Sequence, residues 1–199
     1  MKTRSIMAAG LIAATSLCCM IAHSCGNTST APTGGPKDTI PPVLLSVNPA
    51  HGATNFPLTG GTVSLRFAEY TVVKDQQQIL LSPPGNKKPK AKPNGKDILV
   101  SFQDTLLPNT TYTLDFGKSL ADNNEGNLNP RYVYVFSTGE EIDSMYFCGT
   151  VVDCETLAPV KNALVSLYTD LSDSASINLL PVAANRSDAW GFFALRNVK

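Results

Sequence analysis

The residue with the clearest chemical setting in this sequence is Cys25. Lys2 and Arg4 give the chain a basic start, and an apolar run from Ile6 to Ala22 follows. A serine stands directly before Cys25, and after it the composition changes at once to Gly, Asn, Thr, Ser and Pro. A basic start, an apolar run and a small-residue junction predict an export signal helix over residues 1–24.

A cysteine at such a junction resembles the lipobox of bacterial lipoproteins, in which the thiol is lipidated and becomes the first mature residue. The resemblance implies lipidation of Cys25 and attachment to a membrane. Cys18 and Cys19 are competing sites, and Cys25 is preferred because Ser24 precedes it and a polar stretch follows it. His23 departs from the usual lipobox pattern.

Two other interpretations of the N-terminus stay open, namely an ordinary secretory signal with an incidental cysteine and an uncleaved membrane anchor. The apolar run of about 17 residues contains Gly, Ser and Thr and is short for a spanning helix. In a lipoprotein, Gly26 stands where aspartate is the familiar retention signal for the inner membrane in enterobacteria. The predicted location is therefore the cell envelope, with the outer membrane favoured.

Charge and composition restrict the classes of partner. The sequence has 16 basic and 16 acidic residues, and removal of Lys2 and Arg4 leaves the chain slightly acidic. Such a chain lacks the basic footprint of a nucleic-acid binder, so no nucleic-acid partner is predicted. Residues 25–39 are polar and rich in Gly and Pro, which predicts a flexible, disordered tether.

From residue 40 onward short apolar runs alternate with turn residues, which predicts an all-β fold. The stretch Thr62–Phe67 alternates apolar and polar residues, as a half-buried strand does. The dipeptide Asn94-Gly95 predicts a hairpin. The remaining predicted strands of this part are Val43–Val47, Gln78–Ser82, Ile98–Phe102, Tyr112–Phe116 and Tyr132–Phe136. Their length and spacing predict a β-sandwich over residues 40–139.

One motif in this part predicts a structural hydrogen bond. The spacing Leu106-x-Pro108-x-Thr110-x-Tyr112 resembles the tyrosine corner of immunoglobulin-like and fibronectin-like domains. In that motif the tyrosine hydroxyl bonds to backbone a few residues upstream. Tyr112 is therefore assigned a structural role.

Three blocks together resemble the bacterial Ig-like domain first described in surface-layer proteins. They are Asp38–Val43 with the following turn to Asn55, Phe67–Tyr70, and Asp122–Asn127 leading to Phe136–Gly139. The stretch Thr33–Asp38 resembles the lead-in of Bacteroidetes-type lipoproteins that carry this domain. The resemblance covers about residues 33–139. It implies a sandwich in the cell envelope and implies no reaction.

A second region follows at residues 143–199, with predicted strands Met145–Asp153, Ala163–Tyr168 and Ser187–Leu195. Its pattern resembles the transthyretin-like, non-catalytic regulatory sandwich found beside carboxypeptidases, and the matching residues are Gly149, Val151, Asp153, Pro159, Ala163, Val165, Asp188, Gly191, Phe193 and Leu195. This region is short for a closed sandwich, so it is predicted to be incomplete, with an exposed edge. A fragment of a longer protein and an intentionally short form both stay open.

Few residues are suited to catalysis. His51 is the one histidine after Cys25, and no nucleophile elbow or His-Glu-x-x-His motif occurs. Cys148 and Cys154 are too far apart within one strand for a disulfide, which favours two free, partly buried thiols, although a turn between them would allow a bond. The sequence thus predicts no enzyme, no cofactor, no metal and no small-molecule substrate.

Three surface features each have two interpretations. The loop Asp122–Asn127 offers oxygen ligands for calcium, and a polar turn is favoured. The aromatic group of Trp190, Phe192 and Phe193 suits a sugar-binding face, and a core role for Phe193 is favoured. The five lysines suit either anionic headgroups or protection of an edge strand, which is favoured, and they are Lys87, Lys88, Lys90, Lys92 and Lys96.

The sequence therefore predicts a non-catalytic, lipid-anchored envelope protein that acts as a structural, adhesion or interaction module, with an envelope protein or glycan as partner. The alternative is a carbohydrate-binding accessory lipoprotein of a polysaccharide-uptake system, which an exposed aromatic platform would favour. A third hypothesis is a subunit whose catalytic part lies beyond Lys199.

Overall fold

A computed structural model describes residues 35–199 of this protein. Cys25, the predicted signal helix and most of the predicted tether lie outside these residues, and Asp38–Lys199 forms one compact unit. The predicted all-β class is confirmed. The strands of the first part are β1 (Leu44–Asn48), β2 (Thr62–Phe67), β3 (Thr71–Val73), β4 (Leu80–Ser82), β5 (Lys90–Asn94), β6 (Asp97–Ser101), β7 (Thr111–Asp115), β8 (Leu120–Asp122) and β9 (Val133–Ser137).

Two antiparallel sheets enclose the main core of the described residues. One has the strand order β1-β2-β6-β5, and the other has the order β4-β7-β9. The short strands β3 and β8, which the sequence pattern did not predict, pair with each other. The predicted alternation in β2 is confirmed, because Val63, Leu65 and Phe67 are buried while the residues between them are not.

Phe136 lies at the centre of this core and is fully buried. Its ring centroid is 4.4 Å from that of Phe56 and 5.3 Å from that of Phe102. Tyr112 stacks against it at 5.3 Å and Tyr134 at 5.7 Å. Aromatic pairs at these separations stabilise a core beyond the area that they bury. This aromatic cluster joins strands β7 and β9 to the loop between β1 and β2, which contains Phe56, and to the segment after β6, which contains Phe102.

Two predicted local motifs are confirmed. Strands β5 and β6 form a hairpin in which Asn94 pairs with Asp97, and Gly95 has φ 62°, a backbone conformation that favours glycine. The tyrosine corner is also present, since the Leu107 N–H donates to Tyr112 Oη at 2.8 Å. Burial raises the pKa of the Tyr112 hydroxyl, which keeps it neutral over the physiological range.

The Tyr112 hydrogen bond gives a test of the tyrosine corner. Tyr112→Phe leaves the Leu107 N–H without its partner, so we expect the free energy of unfolding to fall by about 1–3 kcal/mol in denaturant titrations. Ser119→Ala is the matched control, because the Ser119 hydroxyl is buried with no hydrogen-bond partner among residues 35–199. That control should be neutral or stabilising. Equal losses in both variants would contradict the role assigned to Tyr112.

The segment leading into β1 is held by two asparagine side chains from the loop between β8 and β9. Asn127 Nδ2 donates to the carbonyl oxygens of Asp38 at 3.0 Å and Ile40 at 3.3 Å. Asn129, which is buried, donates to the Pro42 carbonyl oxygen. The chain therefore joins the sandwich at a point fixed by residues almost 90 positions further along the sequence.

The C-terminal region contains β10 (Met145–Thr150), β11 (Leu164–Leu167), helix α1 (Ala175–Asn178), β12 (Ala183–Arg186) and β13 (Phe192–Val198). Strand β10 pairs with β13, and β11 pairs with β12. The predicted third strand, Ser187–Leu195, is wrong at its start, because Asp188–Gly191 is a turn closed by the Gly191 N–H to the Asp188 carbonyl. A small second core gathers Ala183, Leu195 and Val198 with Phe193 packed against it. The boundaries 40–139 and 143–199 stay predictions.

Candidate functional site

One recess in the described part of the chain is an apolar groove with a volume of about 730 Å³. It lies where the tyrosine corner meets β10 and the end of β13. Half-exposed apolar side chains line it, and they are Leu107, Met145, Phe147 and Leu180. Volumes of this size are typical of ligand pockets, and exposed apolar surface of this kind marks interaction sites. We call it the apolar groove.

A set of polar contacts links β12 to β7 at a second, smaller recess that is separate from the apolar groove. Arg131 Nε donates to Asp115 Oδ2 at 2.9 Å, and Arg131 Nη2 donates to Asn185 Oδ1 at 2.9 Å. The Asp115 side chain is 10% exposed, whereas that of Arg131 is 41% exposed. The hydrogen bond to Asp115 raises the pKa of Arg131 further above its ordinary value, against the effect of burial. We call Arg131, Asp115 and Asn185 the junction cluster.

Two further hydrogen bonds cross the same junction. The buried Ala184 N–H donates to Ser82 Oγ at 3.0 Å, and Thr113 Oγ1 lies 3.3 Å from Asn197 Oδ1. Strand β7 therefore turns its apolar residues into the sandwich and its polar residues toward β12 and β13. The sequence analysis missed both the junction cluster and the apolar groove. The one sequence signal for these contacts is the alternation of polar and apolar residues in β7. That alternation does not identify β12 and β13 as the strands that the polar residues contact.

The loop Asp122–Asn127 forms a closed polar turn. Asp122 Oδ1 accepts the backbone N–H groups of Asn124, Glu125 and Gly126, and Oδ2 accepts that of Asn127. Burial raises the pKa of Asp122, but these four donors outweigh it and leave the pKa below its ordinary value. Both carboxylate oxygens of Asp122 thus accept hydrogen bonds from backbone N–H groups, which agrees with the favoured interpretation of this loop as a polar turn. Residues 35–199 contain no group of three metal-ligating side chains.

The C-terminal region exposes several aromatic side chains. Trp190 is 78% exposed in the turn before β13, and Phe192 is 44% exposed. Phe193 packs against the second core, as predicted. The close ring pairs of the described residues all lie in the first part of the chain, so Trp190 and Phe192 are not stacked against another ring there.

Cys148 and Cys154 are free thiols. The prediction of free thiols is confirmed, and the prediction of partial burial is wrong, because both residues are exposed. The exposure follows from the position of Cys148 on the outward face of β10, which has β13 as its one partner strand in the described chain. His51 is exposed and packs edge-on against the Tyr134 ring at 6.0 Å.

The predicted lipidation site, Cys25, lies outside the described residues and stays a prediction. None of the helices in residues 35–199 combines the length and the apolar character needed to cross a bilayer. The five lysines named above are all exposed, on β5 and on the turns at its two ends.

Comparisons with curated proteins and with solved structures give low similarity. No curated protein matches the sequence. The crystal structure of the N-terminal part of the bacterial S-layer protein SbsC aligns over 76% of this chain and 32% of its own, at 16% identity and TM-score 0.35. This chain thus spans about a third of that structure. An L,D-transpeptidase from Mycobacterium smegmatis aligns over 76% of this chain and 78% of its own, at 13% identity and TM-score 0.33.

At these TM-scores neither likeness extends to function. The family comparison is stronger, because the model of the bacterial Ig-like domain matches residues 38–138. That match covers just over half of the 199 residues and coincides with the sandwich built from β1 to β9. The resemblance found in the sequence is confirmed at this level, and the chain belongs to the bacterial Ig-like domain family.

Proposed function

We propose that this protein is a lipid-anchored component of the cell envelope and that its Ig-like sandwich presents the C-terminal region as an interaction module. The role is non-catalytic and consists of display and contact with an envelope protein or a glycan. Cys25 carries the lipid, residues 26–39 give the reach, and the outer membrane is the favoured location.

One structural observation supports the interaction role most directly. The apolar groove leaves Leu107, Met145, Phe147 and Leu180 about half exposed around a recess of about 730 Å³. An apolar lining around a recess of this size is typical of sites that bind a ligand or a partner. The junction cluster joins β12 to β7, and β12 directly follows the groove-lining segment that contains Leu180.

The anchor is tested by mass spectrometry of the protein extracted from membranes. We expect an acylated Cys25 as the first residue, and we expect Cys25→Ala to move the protein to the soluble fraction, because two or more acyl chains give firm attachment. Cys18→Ala and Cys19→Ala are matched controls that should stay in the membrane. An unmodified Cys25, or release by either control variant, would contradict the assignment.

A second candidate function is that of a carbohydrate-binding accessory lipoprotein in polysaccharide uptake. The 78% exposure of Trp190 favours it, because exposed indole rings stack well on the apolar faces of sugars. The separation of Trp190 from the other aromatic rings weighs against it. Retention on immobilised neutral polysaccharide that is lost in Trp190→Ala, but not in Tyr70→Ala, would favour this candidate; Tyr70 is the control because it is also exposed.

A further inference from the structure

Strand β5 carries two exposed lysines, and the segment that leads into it carries two more. Lys88, Lys90 and Lys92 are exposed, whereas Pro89 and Ala91 between them are buried. Residues two apart along a strand are about 7 Å apart, and Ala91 between them is buried, so Lys90 and Lys92 project from the same exposed face of β5. Lys88 and Lys87 precede them in the turn that leads into β5, and both are exposed. We call these four residues the lysine row.

The structure places no acidic side chain against the lysine row. The cross-strand neighbour of Lys90 is Ser101, and that of Lys92 is Leu99. Lys88 Nζ donates to the neutral amide oxygen of Gln77 at 2.6 Å. The two ion pairs found in residues 35–199 lie elsewhere, at Arg66 with Asp97 and at Arg131 with Asp115.

Asp104 borders one end of the row. Asp104 Oδ2 accepts the backbone N–H of Lys87 at 2.6 Å and forms no ion pair with an ammonium group of the row. Protection of an edge strand explains why Lys90, Lys92 and Pro93 occur on β5. It does not explain why four lysines stand together without an ion pair in a chain of balanced charge.

We propose that the lysine row docks the sandwich on the anionic headgroups of the membrane that carries its lipid anchor. This inference rests on the proposed function, which brings the domain near a bilayer. Fewer than 15 residues separate Cys25 from Asp38 in the sequence, so an anchor at Cys25 keeps the domain close to the bilayer. Anionic headgroups there carry the charge opposite to that of the lysine row.

Charge complementarity identifies anionic lipid headgroups as the binding partner of the lysine row. A cluster of exposed ammonium groups suits a surface of anionic lipids, because each lysine near such a surface strengthens binding about fivefold. Leu99, which is 36% exposed beside Lys92, adds an apolar contact suited to the headgroup region. The lysine row thus gives the anchored protein a second attachment, which orients the sandwich against the membrane.

The test uses the full chain with Cys25→Ala, so that no acyl chain contributes. Binding to vesicles of phosphatidylcholine is compared with binding to vesicles of phosphatidylcholine mixed with phosphatidylglycerol. Glutamine replaces all four residues of the lysine row in one variant. The control variant loses the same charge at exposed lysines elsewhere, namely Lys37, Lys118, Lys161 and Lys199.

We expect the parent chain to prefer the anionic vesicles and the row variant to lose that preference by roughly 600-fold, about fivefold for each of the four lysines, with a much smaller loss in the control variant. Added salt should weaken the binding of the parent chain. Equal losses in the two variants, or equal binding of the parent to both vesicle types, would overturn the proposal. So would a parent chain that ignores vesicles and binds a soluble anionic polysaccharide through the row.

The lipid anchor at Cys25 and the docking of the lysine row are tested independently of each other. Acylation of Cys25 is read from the native chain by mass spectrometry and does not depend on the lysines. Vesicle binding is read from a chain without acylation and does not depend on the anchor. A chain that is acylated but indifferent to phosphatidylglycerol would therefore overturn the docking inference alone.

Discussion

Replacing Phe136 with alanine is expected to lower the free energy of unfolding by about 3–5 kcal/mol. The side chain is fully buried, and its ring lies against those of Phe56, Phe102, Tyr112 and Tyr134. Truncation removes the apolar surface of the ring and leaves a cavity that four rigid aromatic neighbours cannot close. Denaturant unfolding monitored by tyrosine fluorescence and by circular dichroism would measure the loss.

The matched control is Phe192→Ala, which makes the same chemical change at a side chain that is 44% exposed. Its neighbours include water, so the expected loss is below about 1 kcal/mol. Phe136→Leu should recover part of the stability, because leucine refills some of the cavity. If Phe136→Ala and Phe192→Ala cost the same, Phe136 is not at the centre of the core.

Replacing Arg131 with methionine is expected to cost roughly 2 kcal/mol, between the values typical of exposed and of buried ion pairs. Asp115 is nearly buried and would keep one hydrogen bond, from the Gly117 N–H at 2.9 Å. An incompletely paired carboxylate in that position is costly. The contact from Arg131 to Asn185 would be lost as well, which loosens β12 against β7.

Thermal unfolding and limited proteolysis would measure these two effects. We expect a lower unfolding temperature and faster cleavage within residues 143–199, because the junction cluster no longer holds that region. Arg66→Met is the matched control, since the Arg66 side chain is 60% exposed in its pair with Asp97. Its effect should be much smaller. Equal behaviour of the two variants would show that the junction cluster does not couple the two parts.

Local sequence patterns predicted the sandwich well, because its strands and turns each depend on residues that are a few positions apart in the sequence. The alternation of β2, the Asn94-Gly95 turn and the spacing around Tyr112 each specify one strand, one turn and one hydrogen bond. Strand β12 was missed because Ala-Ala-Asn-Arg has no β-branched or aromatic residue. It is extended because it pairs with β11 and because Ser82 and Arg131, far away in the sequence, hold its backbone and side chains.

The apolar groove could not be predicted for a related reason. Leu107 and Phe147 are 40 positions apart, and each lies in a stretch that looks like an ordinary loop or strand. Their common exposure depends on how β10 and β13 meet the tyrosine corner, which no local pattern encodes. The lysines were found from sequence, but the absence of acidic neighbours became visible once β6 was seen to place Ser101 and Leu99 beside them.

The asparagine contacts at the start of the sandwich have a mechanical consequence for a tethered protein. Tension arriving through the N-terminal segment reaches Asp38, Ile40 and Pro42 before it reaches β1. Asn127 and Asn129 lie in the loop between β8 and β9, so this loop shares the tension. Peeling β1 from β2 under such tension therefore requires the rupture of these side-chain bonds first.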